Sequence, residues 1–264
     1  MPTQWVEPDD MVSMAGTKLP SSDWMTVEQD RINTFADCTE DHQFIHIDEE
    51  AAAKSPFGGT IALSDVGHEQ AVALGKALFA QGITIDHWIC GNMVRHDETL
   101  KGISKGIGTR VKDQIITPDL NEYDFTRLLD ARFAGGEAPV GLHTDRKTHF
   151  RVLRETIAKW QNDEIVNPPE SWAMFETRLK RAQQTILELE GGTILVVSSG
   201  GAISKIVADV LGIAHAKQVD LQLQIKNASM STFIHSRRTG GFFLNAFNET
   251  PFVSAQTQHL LTYS

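Results

Sequence analysis

Cysteine is scarce in this sequence. Cys38 and Cys90 are the two cysteines among 264 residues, and they stand in unrelated contexts. The sequence has no Cys-x-x-Cys pair and no Cys/His cluster of the kind that holds a structural metal, so we predict no metal site and no cofactor. Isolated thiols of this sort are typical of the reducing cytoplasm, which is the compartment we expect.

Long apolar runs are also missing. The most hydrophobic stretches, such as residues 194–197, are far too short to span a bilayer. The first five residues have neither the basic start nor the apolar stretch of a secretory signal. With 41% hydrophobic and 22% charged residues, the chain is expected to fold as one large domain or two small ones.

An excess of positive charge is the third missing feature. The formal net charge is -10, and the basic residues are scattered along the chain. Such a surface repels polyanions, so we expect neither nucleic acid nor a membrane as a partner.

The chain changes character near residue 63. Residues 1–22 show no periodicity, and a capping-box pair, Thr26 and Gln29, opens a short helix after them. Beyond residue 63 helices and strands alternate. The apolar periodicity predicts helices over 64–81, 95–100, 126–133, 146–161 and 171–190, strands over 85–90 and 193–198, and a hairpin over 230–236 and 242–247. We therefore predict an α/β fold with a mostly parallel sheet covered by helices, in which 193–198 is a buried strand.

Two strand ends carry residues suited to an anion. Ser199 and Gly200 lie between a predicted strand and a helix, where backbone amides can hold an anion, and Arg95 follows the strand of residues 85–90. Ligands of open α/β sheets bind at such carboxyl ends. Without further evidence, these residues favour a structural explanation as much as an anion site, because any α/β protein has glycine at such turns and arginine on its helices.

A series of motifs in fixed order extends this observation. Residues 63–264 resemble the histidine phosphatase (phosphoglycerate mutase-like) superfamily through the segments 63–71, 91–95, 121–125, 170–173, 197–203, 227–229 and 260–263. The resemblance implies a phosphomonoester ligand and a phosphohistidine mechanism, in which arginines neutralise the phosphoryl oxygens and an acid protonates the leaving oxygen. It assigns phosphate binding to Arg95 and proton donation to Glu122.

The sequence departs from the pattern of that superfamily at two positions. The first strand with its Arg-His-Gly motif should precede residue 63 and is absent, and Ser199 stands in place of the second histidine. Arg95-His96 does not replace the motif, because Asp97 stands where glycine should and the pair follows the wrong strand. Loss of a covalent nucleophile costs on the order of 10⁶ in turnover in a well-studied hydrolase. We therefore expect phosphate binding at Arg95, Ser199 and Gly200 with impaired turnover.

Residues 1–62 resemble a different protein family. Asp41 and His46 could serve as an acid/base pair, or could belong to a solvated polar loop. The segment resembles the start of a MaoC-like hydratase related to (R)-specific enoyl-CoA hydratases, which implies part of a hot-dog fold, an acyl-CoA thioester substrate and catalytic roles for Asp41 and His46. The resemblance stops at residue 62, before the central helix of that fold.

Three interpretations of function remain open, and with them the question whether the chain is an enzyme. The first is an impaired phosphatase-type domain (63–264) with a hydratase-derived N-terminus (1–62). The second is a hydratase-type lyase using Asp41 and His46. The third is a non-enzymatic module that holds a phosphorylated ligand. A further hypothesis is that residues 43–47, which are apolar and β-prone, supply the missing strand and bring His46 to the phosphate site.

Overall fold

The protein's structure is a computed structural model that describes residues 65–136, 138–140, 142, 146–236 and 240–263. The helices are α1 (Asp65–Ala80), α2 (Val94–Ile107), α3 (Phe125–Phe133), α4 (Arg146–Gln161), α5 (Trp172–Glu188), α6 (Gly200–Leu211) and α7 (His215–Gln222). The strands are β1 (His87–Cys90), β2 (Ile115–Ile116), β3 (Ile194–Val197), β4 (Met230–Ser236) and β5 (Gly241–Glu249), and 3-10 turns occupy Pro118–Leu120 and Gln258–Leu260.

The described strands form a parallel sheet and a separate hairpin. The parallel sheet has the order β2-β1-β3, with Ile89 opposite both Ile115 and Val196. Strands β4 and β5 pair antiparallel and form the predicted hairpin. The prediction of a mostly parallel α/β fold is confirmed.

Strand β3 is less buried than its sequence predicts. Of its four apolar residues only Val197 is buried, whereas β1 buries Trp88, Ile89 and Cys90. Within the described ranges β3 pairs on one side only, with β1, and β1 pairs on both sides. The prediction that 193–198 is a buried strand was therefore wrong in this respect, because an apolar run does not reveal how many neighbours a strand has.

Local signals explain where the helices begin and end. Ser171 accepts a hydrogen bond from the Met174 amide at the start of α5, and Asp124 accepts one from the Arg127 amide at the start of α3. Gly108 ends α2 and Gly212 ends α6 in the left-handed conformation that glycine adopts without strain.

Helix α1 packs directly on α2 through glycines. A methyl group added to Gly75 would overlap the backbone of α2, and one added to Gly106 would overlap the backbone of α1. Gly102 lies against Ala71 in the same way. The two backbones therefore lie in close contact at Gly75 and Gly106, and α2 continues to Ile107 instead of ending near residue 100 as predicted.

Two of the four apolar clusters in the described chain contain most of its buried apolar residues. One lies between β1, α1 and α2 and includes Trp88, Leu100 and Leu260. The other lies between α4, α5 and α6, and its aromatic members are in mutual contact: Tyr123, Trp160, Trp172 and Phe175. Tyr123 lies in the loop that precedes α3, and its packing in the second cluster stabilises that loop. Among the described helices, none combines the length and apolar character needed to cross a membrane.

Candidate functional site

The candidate site lies where β1 and β3 end. The two strands are parallel, and their last residues, Cys90 and Val197, are opposite each other. The chain after β1 enters α2 and carries Arg95, and the chain after β3 enters α6 and carries Ser199. The parallel register therefore brings two segments about a hundred residues apart in sequence to one edge of the sheet, as the sequence predicts.

Arg95 and Ser199 are in direct contact. The Ser199 hydroxyl accepts hydrogen bonds from Nε and Nη2 of Arg95, at 3.3 and 3.2 Å. Both residues are partly buried, and Ser199 is the N-cap of α6. A guanidinium group beside a helix N-terminus makes this edge electropositive, which suits a phosphate group.

His96 also belongs to the site. Its Nε2 lies 2.6 Å from Oγ of Ser199, and the residue is only 2% exposed. Burial, and secondarily the charge of Arg95, lowers the pKa of His96 from 6.5 to about 3, so the ring is neutral at physiological pH. The contact of His96 with Ser199 was not predicted from the sequence, where Arg95-His96 was compared only with the Arg-His-Gly motif.

The second ring nitrogen of His96 is enclosed. Nδ1 has no hydrogen-bond partner among the described residues, and it lies against the backbone of Gly91. A methyl group at position 91 would overlap that nitrogen, so the close packing of the histidine requires glycine there. His96 therefore presents Nε2 to the site and Nδ1 to the protein interior.

Glu122 also contacts the first turn of α6. Its Oε2 accepts a hydrogen bond from the Gly201 amide at 2.8 Å, and its Oε1 accepts one from the Tyr123 amide at 3.1 Å. Burial of the carboxyl group raises the pKa of Glu122, while the Gly201 amide and Arg95 oppose that rise. A carboxyl group held here with a raised pKa is chemically suited to donate a proton, the role that its motif position predicts.

Two further interactions fix the loop that carries Glu122. Asn121 accepts a hydrogen bond from the Asn92 amide at 2.9 Å, and its own amide group donates to the Asn92 side chain. Arg178 of α5 pairs with Glu170 at 2.8 and 2.9 Å and donates to the carbonyl groups of Asp119 and Asn121. The sequence reasoning missed Arg178, and the available signal was Glu170 in the motif of residues 170–173, eight positions earlier.

The structure brings together four of the six predicted site residues, and it does not describe the other two. Arg95, Ser199, Gly200 and Glu122 all lie around the start of α6. Asp41, His46 and the segment 43–47 lie outside the described residues. In the described part of the chain, no group of three or more His, Cys, Asp or Glu side chains is arranged to hold a metal ion.

Residues 56–250 match the family model of the histidine phosphatase superfamily (branch 1), and the chain therefore belongs to that superfamily. The match covers most of the chain and all of the residues of the candidate site in the described structure. It confirms the resemblance carried by the motifs around Arg95, Glu122 and Ser199.

Individual relatives extend this result. The chain is 25% identical over 190 residues to a 2,3-bisphosphoglycerate-dependent phosphoglycerate mutase of Mesorhizobium japonicum, over 67% of this chain and 84% of the mutase. Its fold is similar to that of a mycobacterial glucosyl-3-phosphoglycerate phosphatase solved with inorganic phosphate, with a TM-score of 0.51 and 19% identity over 72% of this chain and 89% of the phosphatase.

A different relative matches a short segment at much higher identity. The chain is 55% identical over 53 residues to 3-hydroxyacyl-thioester dehydratase Z of Mycobacterium tuberculosis, which is 20% of this chain and 35% of the dehydratase. The chain therefore spans about a third of the length of that relative. The N-terminal resemblance to MaoC-like dehydratases is confirmed at the level of sequence.

Proposed function

We propose that the chain binds a phosphomonoester at the start of α6 and hydrolyses it poorly. The observation that carries this proposal is the contact of the Arg95 guanidinium with Ser199 at a helix N-terminus, because its charge and geometry favour an anion. The Gly200 backbone lies in the first turn of the same helix. Phosphate oxygens would replace the hydroxyl as acceptors for the Arg95 N–H groups.

Impaired turnover is supported by the chemistry of His96. A nucleophilic histidine must direct a ring nitrogen at phosphorus, but Nε2 of His96 is engaged by Ser199 and Nδ1 is enclosed by Gly91. The chain contains no Arg-His-Gly sequence. Among the described residues, the site therefore offers no free histidine nitrogen as an acceptor for the family's covalent mechanism, while the groups that we propose to bind phosphate are present.

Titration calorimetry with inorganic phosphate tests the binding step. Arg95→Ala should weaken binding by roughly 10–100-fold, because charge-assisted hydrogen bonds are worth about 1.5–3 kcal/mol. Arg127→Ala is the matched control, since its side chain is 72% exposed and pairs with Asp124 at the start of α3. Equal binding by the wild type and Arg95→Ala would contradict the site.

The catalytic step is tested with p-nitrophenyl phosphate. We expect negligible steady-state hydrolysis by the wild type. Rapid multiple turnover that disappears in Arg95→Ala would show that the chain is a competent phosphatase. Phosphate binding without any chemistry would instead identify a non-enzymatic binding module.

We further propose that the chain joins two units, a dehydratase-derived segment over 1–62 and a histidine phosphatase domain over 63–264, as the product of a gene fusion. The identity of 55% over 53 residues supports a dehydratase origin for the first unit. It also supports a second candidate function, hydration of an acyl-CoA thioester by Asp41 and His46. Hydration of crotonyl-CoA that is abolished by His46→Ala would establish this candidate, and absence of hydration would end it.

A further inference from the structure

Ser199 has hydrogen-bond partners on both sides of its hydroxyl group. Arginine can only donate, so Oγ of Ser199 accepts from Nε and Nη2 of Arg95, which occupy both of its acceptor positions. Nε2 of His96 lies 2.6 Å from the same oxygen and accepts the hydroxyl proton in the tautomer that carries the ring proton on Nδ1. In that tautomer the serine proton points at an imidazole nitrogen, which is the contact through which an adjacent base activates a serine nucleophile.

The neighbouring serine lacks this arrangement. Ser198 donates its hydroxyl proton to the carbonyl oxygen of Leu120 at 2.6 Å. A carbonyl group does not remove a proton at neutral pH, so Ser198 is held as a structural donor. The two adjacent serines therefore differ in chemistry although they share a turn.

We propose that Ser199 is a phosphoryl acceptor that takes the place of the family's histidine. This inference rests on the proposed phosphomonoester site. The bond from Ser199 Oγ to phosphorus forms as the bond from phosphorus to the leaving oxygen breaks. The serine proton passes to Nε2 of His96 and then to the leaving oxygen, which departs as the free alcohol or phenol.

The two halves of a catalytic cycle at Ser199 differ in their leaving groups. His96 is a weak base toward both the serine hydroxyl and water, because burial and Arg95 oppose its protonation. Both transfers pass through a loose transition state that depends on positioning and on charge stabilisation by Arg95. Transfer to serine expels a stabilised phenolate, whereas hydrolysis of the resulting ester must expel the much more basic serine alkoxide. Uncatalysed hydrolysis of phosphate monoesters is among the slowest of reactions, so the phosphoserine should accumulate.

The test is incubation of the full chain with excess p-nitrophenyl phosphate. We expect release of about one equivalent of p-nitrophenol per chain, followed by arrest, as for a covalent intermediate that accumulates. Peptide mass spectrometry should locate one phosphoryl group on Ser199. Ser199→Ala should abolish both signals, and Ser198→Ala, the matched control, should retain them.

The role of His96 is tested by His96→Gln, with circular dichroism to verify that the variant folds. Loss of the proton acceptor should slow formation of the phosphoserine by roughly 10²-fold, at the lower end of what a general base contributes. An unchanged rate in this variant would remove His96 from the mechanism.

The outcomes separate this inference from the proposed function. Phosphate binding without modification of Ser199 would overturn the inference and leave the phosphate site standing. Absence of both binding and modification would overturn both. A phosphoryl group found on a histidine, recognised by its loss in acid, would show that the chain supplies its own histidine acceptor and would also overturn the inference.

Discussion

Replacement of Gly201 by alanine should uncouple Glu122 from the start of α6. Gly201 is buried, and an added methyl group would overlap Oε1 of Glu122 and the ring of Tyr123. Tyr123 cannot move away, because its ring packs 5.1 Å from that of Trp160 and 5.7 Å from that of Phe175. The carboxyl group must therefore leave the Gly201 amide.

The expected cost combines opposing contributions. Overpacking a core costs about 1–3 kcal/mol, and loss of a hydrogen bond to a carboxylate costs about 1.5–3 kcal/mol. Alanine is a better helix former than glycine by up to about 1 kcal/mol, which offsets part of the cost. We expect Gly201→Ala to lower the free energy of unfolding by about 2–4 kcal/mol and Tm by roughly 4–16 °C.

Thermal melts followed by circular dichroism measure this effect, with Gly200→Ala as the matched control. A methyl group at position 200 would meet only Cγ of Gln222 at 3.9 Å, an ordinary contact. The control should therefore melt within a few degrees of the wild type or slightly above it. If Gly201→Ala melts as high as Gly200→Ala, the argument from close packing is refuted.

Two other perturbations have defined outcomes. Arg178→Ala breaks an ion pair whose side chains are 12% and 18% exposed and should cost about 3–5 kcal/mol in chemical denaturation, whereas Arg181→Ala, at 61% exposure, should cost no more than about 1 kcal/mol. Equal costs would show that the Arg178 contacts do not stabilise the fold. The pKa of His96 is lowered in the folded state, so below pH 6.5 the unfolded chain binds a proton that the folded chain refuses. The free energy of unfolding of the wild type should consequently fall between about pH 6.5 and pH 3, and His96→Gln should show a smaller fall over that window; parallel profiles would contradict the assignment.

The sequence predicts the helices and strands of this fold better than it predicts their burial and their contacts with one another. Helix α4 has the predicted bounds of 146–161, and the proximity of Arg95 to Ser199 follows from the rule that parallel strands end at one edge. The burial of β3 was mispredicted: three of its four residues are only partly buried, and among the described strands it pairs with β1 alone. Helix α2 is longer than predicted since Gly102 and Gly106 lower helix propensity but are needed for contact with α1.

Some site residues could be predicted from sequence motifs, and others depend on contacts that the sequence does not reveal. Arg95, Glu122 and Ser199 lie in motifs and could be selected from sequence order. His96 and Arg178 act through side-chain direction, which depends on how α2 and α5 are rotated against the sheet. Consecutive residues on a helix point about 100° apart, so sequence alone does not predict that Arg95 and His96 both reach Ser199.

The close contact between α1 and α2 at Gly75, Gly102 and Gly106 makes the position of the proposed phosphate site depend on atoms far from it. Arg95 and His96 lie in the first turn of a helix whose later turns rest on a neighbouring backbone, without a deformable layer of side chains between them. Enlarging Gly106 by one carbon would tilt or slide that helix as a rigid rod. A substitution at Gly106 changes no charge and contacts no ligand, yet it would displace the guanidinium group of Arg95. Residues at the far end of α2 would therefore influence the affinity of the proposed site for an anion.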